Sequence, residues 1–176
     1  MSYCSFIRTA SEEKKAIHKN YHDNQYGFPI HDDNELFARL ILEINQAGLS
    51  WETILKKEKN FRKAYSGFDI KKVAKYGAKE KKRLMNDAGI IRNRLKIDAA
   101  ITNAQAIIKI KKEFGSFKAW LDSQHPKSIN EWVKIFKKNF RFTGGEIVNE
   151  FLMSAGYLDG AHDEDCPVLF LLKRKL

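Results

Sequence analysis

The sequence contains little cysteine and little proline, and these shortages limit the classes of protein to which it can belong. Two cysteines in 176 residues are too few for a disulfide-rich secreted scaffold. Three prolines, ten glycines and no low-complexity segment leave no recognisable interdomain linker. We therefore expect one domain over residues 1–176, long enough to bury a substantial core.

Long hydrophobic segments are also missing. No run of 18 or more apolar residues occurs, so we expect no membrane-spanning helix. The first residues lack the apolar core of a signal peptide, which favours a cytoplasmic protein. No P-loop, dinucleotide-binding fingerprint or Gly-x-Ser-x-Gly motif is found, so nothing points to the enzyme classes that carry them.

Positive charge, in contrast, is abundant and unevenly placed. The net charge is +10, and residues 51–150 hold 24 basic and 11 acidic side chains. Residues 1–50 hold 5 basic and 7 acidic side chains. A basic middle region favours a polyanionic partner such as nucleic acid, although a lysine-rich soluble protein would show the same excess.

Hydrophobic periodicity is helical almost throughout, and no convincing strand alternation appears, which predicts an all-α fold. Asp32 precedes a helix expected to end at Gly48, a residue suited to a left-handed C-cap. In the longest helix, Leu95, Ile101 and Ile108 are expected to face inward. The remaining predicted helices cover approximately residues 51–59, 79–87, 94–114, 130–138 and 147–156.

Both cysteines and two of the five histidines lie near the chain ends. Cys4 is followed by His22, and His162 lies four residues before Cys166. Two thiolates and two imidazoles form a common ligand set for structural zinc. The spacing matches no short zinc-finger pattern, so a disulfide, unrelated thiols and ordinary polar histidines remain alternatives.

Glu43 falls at the edge of the apolar stripe of its helix, close to Gln46 and Trp51 in sequence. A carboxylate there is costly unless it is paired or faces a cavity. It could bind a flat cationic ligand against aromatic rings such as Tyr21, or it could reach solvent or pair with an arginine.

Residues 84–94 follow a pattern of helix, glycine turn and helix. Backbone N–H groups at the start of the second helix could hold a phosphate, and Arg92, Arg94 and Lys96 add positive charge. A simple αα-hairpin packed in the core would have the same pattern.

Taken together, these motifs resemble the 3-methyladenine DNA glycosylase I family, the constitutive bacterial enzymes that remove alkylated adenine from DNA. The matching stretches are Cys4-Ser5-Phe6, Tyr21-His22-Asp23-Asn24-Gln25-Tyr26-Gly27, Leu36-Phe37, Glu43-Ile44-Asn45-Gln46-Ala47-Gly48-Leu49-Ser50-Trp51, Asp87-Ala88-Gly89-Ile90-Ile91-Arg92-Asn93-Arg94, Phe140-Arg141-Phe142-Thr143-Gly144 and His162 with Cys166. The resemblance covers nearly the whole chain.

The resemblance implies a helix–hairpin–helix glycosylase fold whose N- and C-terminal segments are joined by a structural zinc ion. The implied zinc ligands are Cys4, His22, His162 and Cys166, and the implied base-binding residues are Glu43, Tyr21, Trp51 and Phe6. The implied DNA-backbone residues are Gly89, Ile90, Ile91, Arg92 and Arg94, in a hairpin over approximately residues 84–101.

The implied activity is monofunctional: the enzyme would extrude 3-methyladenine from alkylated double-stranded DNA and release it by hydrolysis. Glu43 is the expected catalytic residue, acting mainly in recognition. We also expect a bacterial cytoplasmic monomer that associates with the nucleoid when acting. One alternative is a non-catalytic module that binds damaged DNA, and another is a basic, zinc-stabilised structural protein that binds RNA.

Three residues depart from the family pattern. Phe6 and Tyr26 stand where tryptophan is usual, and His18 lies near the position of an expected second tyrosine. Phenylalanine keeps a stacking face but loses the indole donor. We therefore expect altered contacts inside the pocket and the same class of activity.

Overall fold

The computed structural model describes residues 2–173, and within this range it contains eleven α-helices and no strand. In chain order these helices are α1 Tyr3–Thr9, α2 Glu12–Asn24, α3 Asp33–Gln46, α4 Trp51–Ala64, α5 Ile70–Val73, α6 Ala78–Asn86, α7 Arg94–Phe114, α8 Phe117–Gln124, α9 Ile129–Asn139, α10 Gly145–Ser154 and α11 Pro167–Lys173. The all-α prediction is confirmed. The domain predicted over 1–176 includes residues 1 and 174–176, which lie outside the described range.

Helix α3 lies at the centre of the molecule and packs against α4, α7, α8 and α10. Every residue from Leu36 to Asn45 is buried, so the whole middle of this helix is surrounded by protein. Its N-cap is Asp32, whose side chain accepts a hydrogen bond from the Glu35 N–H at 3.0 Å. Gly48 has a φ of +81°, as expected for the glycine that ends the helix.

Helix α7 has the bounds predicted from the sequence, but one side chain that was expected to be buried points to solvent. Leu95 was expected to face inward and is 68% exposed, so that prediction was wrong. Ile97 and Ile101 define the buried side of the helix. Leu95 precedes Ile97 by two residues, about 200° around the axis, and therefore points to solvent.

Helices α1 and α11 contribute to a second, smaller cluster of buried residues, separate from the main core. Cys4, Cys166, Val168 and Leu172 are buried together there. Nearby, Arg8 of α1 pairs with Asp163 at 2.8 Å and with Asp165 at 2.6 Å. Among residues 2–173, no helix is long and apolar enough to cross a membrane.

Candidate functional site

A cavity of about 430 Å³ opens beside α3, within the size range of small-molecule sites. Its lining includes the aromatic residues Tyr3, Phe6, Tyr21, Tyr26 and Trp51 and the polar residues Glu43, Gln46 and Glu150. The four base-binding residues expected from the sequence therefore lie in one cavity. They reach it from four helices: Phe6 from α1, Tyr21 from α2, Glu43 from α3 and Trp51 from α4.

The short connection between α3 and α4 explains why Trp51 lies near Glu43. Gly48 takes the left-handed conformation and lets the chain turn back on itself. Ser50 then caps α4, because its hydroxyl accepts a hydrogen bond from the Thr53 N–H at 3.2 Å. Trp51, the first residue of α4, is thereby placed against the cavity.

The Glu43 carboxyl group is buried but has no protein partner. Only 4% of the residue is exposed, and no hydrogen bond or ion pair to its side chain occurs within residues 2–173. Burial raises its pKa to about 8, with Arg39 opposing the rise and Glu150 adding to it. A buried acid that faces a cavity without a partner is poised to receive a ligand that carries positive charge.

Arg39 lies one turn before Glu43 on α3, but its hydrogen bonds go to other residues. Its guanidinium donates to the Tyr21 hydroxyl at 3.1 Å and to the Ser154 carbonyl at 3.2 Å. It also lies 4.8 Å from the centre of the Tyr21 ring, within cation–π range. Arg39 therefore fixes Tyr21, and the alternatives of a solvent-facing or arginine-paired Glu43 do not apply.

The aromatic rings limit where a flat ligand can stack. The centroids of Tyr21 and Trp51 are 5.0 Å apart at 54°, so these rings contact each other. A base sandwiched between two rings needs about 7 Å between them, twice the usual carbon–carbon contact distance. A ligand must therefore lie against the cavity-facing side of these rings.

Two tyrosine hydroxyl groups near the pocket are ordered by hydrogen bonds. The Tyr3 hydroxyl lies 2.9 Å from His18 Nδ1, and the Tyr26 hydroxyl donates to Glu150 Oε2 at 3.2 Å. His18 itself is buried and packs against Phe6, with ring centroids 4.9 Å apart. A hydroxyl near the His18 position is thus supplied by Tyr3, which lines the cavity.

The turn between α6 and α7 presents backbone donors and positive charge at the surface. Within residues 2–173, the N–H groups of Ile91 and Arg92 have no acceptor, and the Arg92 side chain has no ion pair. Arg94 is the first residue of α7, and its side chain is 85% exposed. Free N–H groups at a helix N-terminus beside arginines can bind a phosphate.

Gly89 and Ile90 hold this turn in place rather than facing solvent. The Gly89 N–H donates to Asp87 Oδ1 at 2.8 Å, and Ile90 is only 3% exposed. A Cβ on Gly89 would come within 2.9 Å of Asp87 Oδ1 and 3.1 Å of Asn60 Cβ. The turn therefore packs closely on α4, and only a glycine fits there without movement.

Lys96 connects this turn to the cavity. It is 5% exposed, and its ammonium donates to the carbonyl groups of Asn45 at 3.0 Å and Ala47 at 2.7 Å. These carbonyls belong to the end of α3, the helix that carries Glu43, where a cation is favoured by the helix dipole. The first turn of α7 is therefore fixed directly to the rim of the cavity.

The four predicted metal ligands form one buried cluster. Their ligand atoms all lie within 4.8 Å of one another. Cys4 Sγ lies 3.2 Å from His22 Nε2 and 3.5 Å from His162 Nδ1, which is 3.6 Å from Cys166 Sγ. Ligand atoms around tetrahedral zinc lie roughly 3.3–3.8 Å apart, given Zn–S and Zn–N bonds of about 2.3 and 2.1 Å.

The hydrogen bonds of the two histidines suit metal ligation. His22 Nδ1 lies 2.7 Å from an Asp23 carboxylate oxygen, and His162 Nε2 lies 2.8 Å from the Tyr26 carbonyl oxygen. Each of these nitrogens must donate its proton, so in the neutral ring the other nitrogen carries a lone pair. Both lone pairs point into the cluster, in the outer-shell arrangement usual for metal-binding histidines.

The two cysteines are free, so the disulfide alternative is not what the structure contains. Burial raises the pKa of the Cys4 thiol to about 11, and burial lowers the pKa of His162. These shifts keep the isolated groups uncharged. A cation in the cluster would favour the thiolate form of the cysteines.

Comparison with known proteins agrees with this geometry. The profile of the family "Methyladenine glycosylase" matches residues 11–136. The DNA-3-methyladenine glycosylase of Haemophilus influenzae is 33% identical over 174 residues, covering 88% of this chain and 93% of the relative. DNA-3-methyladenine glycosylase 1 of Escherichia coli is 34% identical over 158 residues, covering 79% and 84%.

The chain belongs to the methyladenine glycosylase family. Its structure also resembles a single-residue variant of 3-methyladenine DNA glycosylase I in complex with 3-methyladenine, with a TM-score of 0.82 and 34% identity. That match covers 96% of this chain and 97% of the other. The Staphylococcus aureus enzyme, described for its recognition of 3-methyladenine, matches with a TM-score of 0.78 and 35% identity over 86% and 90% of the chains.

Family membership confirms the expectation of a DNA glycosylase. The sequence did not identify Tyr3, Arg39 and Glu150 as parts of the site. Arg39 precedes Glu43 by four residues and could have been found as its neighbour on α3. Glu150 follows the core-facing Ile147 by three residues, a spacing that places it at the edge of the buried side of α10.

Proposed function

We propose that this methyladenine glycosylase takes 3-methyladenine out of alkylated double-stranded DNA and releases it by hydrolysis. The observation that carries the proposal is the buried, unpartnered Glu43 in an aromatic-lined cavity. Adenine methylated at N3 in DNA is cationic, and its glycosidic bond is already weak. Charge rather than shape is therefore the property by which the pocket selects the damaged base.

Glu43 is the proposed catalytic and recognition residue. Without a ligand, its raised pKa keeps a large fraction of the carboxyl group protonated at neutral pH. An approaching cation lowers that pKa, so the group ionises and gains a charge-assisted interaction of roughly 1.5–3 kcal/mol. A neutral adenine offers no such gain. Water is the proposed nucleophile, and the positive charge on the base supplies most of the reactivity.

The proposed pocket places the base against Trp51, Tyr21 and Phe6. The π faces of these rings attract a cation and exclude water from it. Tyr21 is held by Arg39, so its ring is preorganised before the base arrives. Burial raises the pKa of Tyr21 well above its ordinary value, so its hydroxyl stays protonated.

We propose that the turn between α6 and α7 is a helix–hairpin–helix element that grips the DNA backbone. The free N–H groups of Ile91 and Arg92 and the side chains of Arg92 and Arg94 would contact phosphates without reading sequence. Gly89 and Ile90 would shape the turn. Lys96 joins this element to α3, so binding of the element to the DNA backbone would place the cavity close to the extruded base.

Replacing Arg92 with alanine is expected to weaken binding to all duplexes about 3–10-fold, with the slope of log affinity against log salt reduced by about 1. Fluorescence anisotropy over a salt series measures both quantities. Lys134→Ala, which removes an exposed cation on α9, is the matched control and should leave the slope unchanged. An unchanged slope for Arg92→Ala would exclude a phosphate contact at this residue.

We propose that zinc is bound by Cys4, His22, His162 and Cys166. The two cysteines and two histidines, their separations and the hydrogen bonds of both rings support this ion. With four protein ligands no position remains for substrate, so a bound zinc would act only as a structural tie. It would hold α1, α2 and the 162–166 segment together, and with them the aromatic side of the cavity.

The activity is tested by incubating the protein with methylated duplex DNA and identifying the released base. We expect 3-methyladenine to be released, leaving an abasic site, without a covalent adduct after borohydride treatment. DNA binding without release would favour a non-catalytic module that recognises damage. A trapped adduct would refute the monofunctional mechanism.

We also propose that the protein acts as a cytoplasmic monomer that associates with the nucleoid. Two buried, free cysteines suit a reducing compartment. The basic region over residues 51–150 suits a protein that moves along DNA. Light scattering at the concentrations used for the release assay measures the oligomeric state.

A further inference from the structure

A second carboxyl group, that of Glu150, also lines the base cavity. Glu150 lies on α10, which packs against α3, and it lines the cavity together with Glu43. The side chain is partly buried, and burial raises its pKa, with Tyr26 opposing the rise and Glu146 adding to it. The two carboxyl groups are close enough for Glu150 to raise the pKa of Glu43.

The Tyr26 hydroxyl orients this second carboxylate. It donates to one oxygen, Glu150 Oε2, at 3.2 Å. The other oxygen of Glu150 has no protein partner within residues 2–173. The Tyr26 hydroxyl is therefore the donor that holds Glu150 at the cavity.

We propose that Glu150 is a specificity-determining residue of the base pocket and that it acts with Glu43 to select an extruded purine by its positive charge. The inference rests on the proposed function and adds a second anionic group to it. Two carboxyl groups beside one cavity disfavour each other's ionisation when it is empty. A cationic base removes that conflict because it attracts both, whereas a neutral base leaves it in place.

A purely structural reading is that Glu150 only holds Tyr26 in position. The two hypotheses predict different rates of base release when the negative charge of Glu150 is removed. Glutamine at position 150 keeps an acceptor oxygen for the Tyr26 hydroxyl but carries no charge. Phenylalanine at position 26 keeps the ring and the charge of Glu150 but removes the hydrogen bond between them.

The experiment compares Glu150→Gln and Tyr26→Phe with the wild-type protein on two DNA substrates. Single-turnover release is measured on duplex DNA that contains 3-methyladenine. Affinity is measured on the same duplex with neutral, non-hydrolysable 3-deaza-3-methyladenine at that position. Glu113→Gln is the matched control, because it makes the same change at an exposed position on α7, outside the cavity lining. A thermal melt of each variant accompanies the assay.

We expect Glu150→Gln to slow release of the cationic base about tenfold, or about 1.4 kcal/mol, and to change affinity for the neutral analogue less than about twofold. Tyr26→Phe should slow release less than Glu150→Gln, and Glu113→Gln should match the wild type. The melting temperature of Glu150→Gln should not fall, since the change removes a carboxylate that burial disfavours.

Wild-type rates for Glu150→Gln would overturn the inference and leave the proposed function intact. Equal losses for Glu150→Gln and Tyr26→Phe on both DNA substrates would assign Glu150 to the positioning of Tyr26 and also overturn it. If the wild-type protein released no 3-methyladenine, the proposed function would fail, and this inference would fail with it.

Discussion

Replacing Glu43 with glutamine is expected to slow release of 3-methyladenine at least about 100-fold while changing DNA affinity less than about threefold. The loss corresponds to about 2.7 kcal/mol, the size expected when a charge-assisted contact is removed from a buried site. DNA affinity should persist because the backbone contacts are proposed to lie on the α6–α7 turn. Single-turnover kinetics and anisotropy on the same duplex measure the two quantities.

The same substitution is expected to stabilise the folded protein at high pH. The Glu43 pKa is about 8 when folded and near its ordinary value of 4.5 when unfolded, so the folded state binds the extra proton between these values. Ionisation of the buried Glu43 carboxyl group therefore destabilises the folded protein. This destabilisation is absent below about pH 4.5 and reaches its full size above about pH 8. At about pH 9 it should amount to roughly 2–5 kcal/mol, and Glu43→Gln should melt at least about 5 °C above the wild type.

Glu35→Gln is the matched control for both measurements. Glu35 lies two turns earlier on α3, has a side chain that is 47% exposed and pairs with Arg62 at 2.7 Å. Its replacement should leave release at the wild-type rate and should not raise the melting temperature at high pH. Equal loss of DNA affinity and of base release in Glu43→Gln would contradict a role in base recognition.

Removing the proposed zinc ion is expected to cause the largest loss of stability. The four ligands join residues that are up to 162 positions apart in sequence, and the cluster they share with α11 is small. Without the ion, two buried thiols and two buried imidazoles would remain in place of the metal bonds. We expect a strong chelator to lower the melting temperature by at least roughly 10 °C, with one zinc ion released per chain.

Two variants distinguish loss of zinc from a general effect of the chelator. Cys166→Ser should carry less than one zinc ion per chain, should melt at a lower temperature and should respond little to the chelator. His31→Gln changes a histidine outside the cluster and should behave as the wild type does. Metal analysis and calorimetry of the same samples provide both readouts. A melting curve that chelation leaves unchanged would remove the structural role.

The sequence predicted the longer helices whose buried side is made of apolar residues. The bounds of α7 and the start of α4 agree with the prediction. Helix α4 continues beyond residue 59 because Phe61 and Ala64 extend its buried side into the core. Helices α8 and α11 were not predicted, since each is short and offers only two or three buried apolar side chains.

Helix α2 was missed for a different physical reason. Its buried residues are His18, Tyr21 and His22, which a hydrophobic pattern counts as polar or amphipathic. These side chains are buried because His18 bonds to Tyr3, Tyr21 to Arg39 and His22 to Cys4. The polar site residues on the buried side of α2 therefore remove the hydrophobic pattern by which the helix could have been predicted.

Some site residues could be predicted from the sequence and others could not. The motifs identified Glu43, Tyr21, Trp51 and Phe6, because each lies in a stretch that matches the family, and all four line one cavity. Glu150 lies in α10, far from those motifs in sequence, and reaches the cavity only through the packing of α10 on α3. Contacts of this kind depend on the tertiary fold and leave no local pattern in the sequence.

The claim that the Glu43 carboxyl group contacts the extruded base is tested most directly by a crystal structure of the protein soaked with 3-methyladenine. We predict density for the base in the cavity beside Trp51, with its amino group within about 3.2 Å of a Glu43 carboxylate oxygen. Density for the base elsewhere on the protein, or a base in the cavity whose polar atoms avoid Glu43, would contradict the claim.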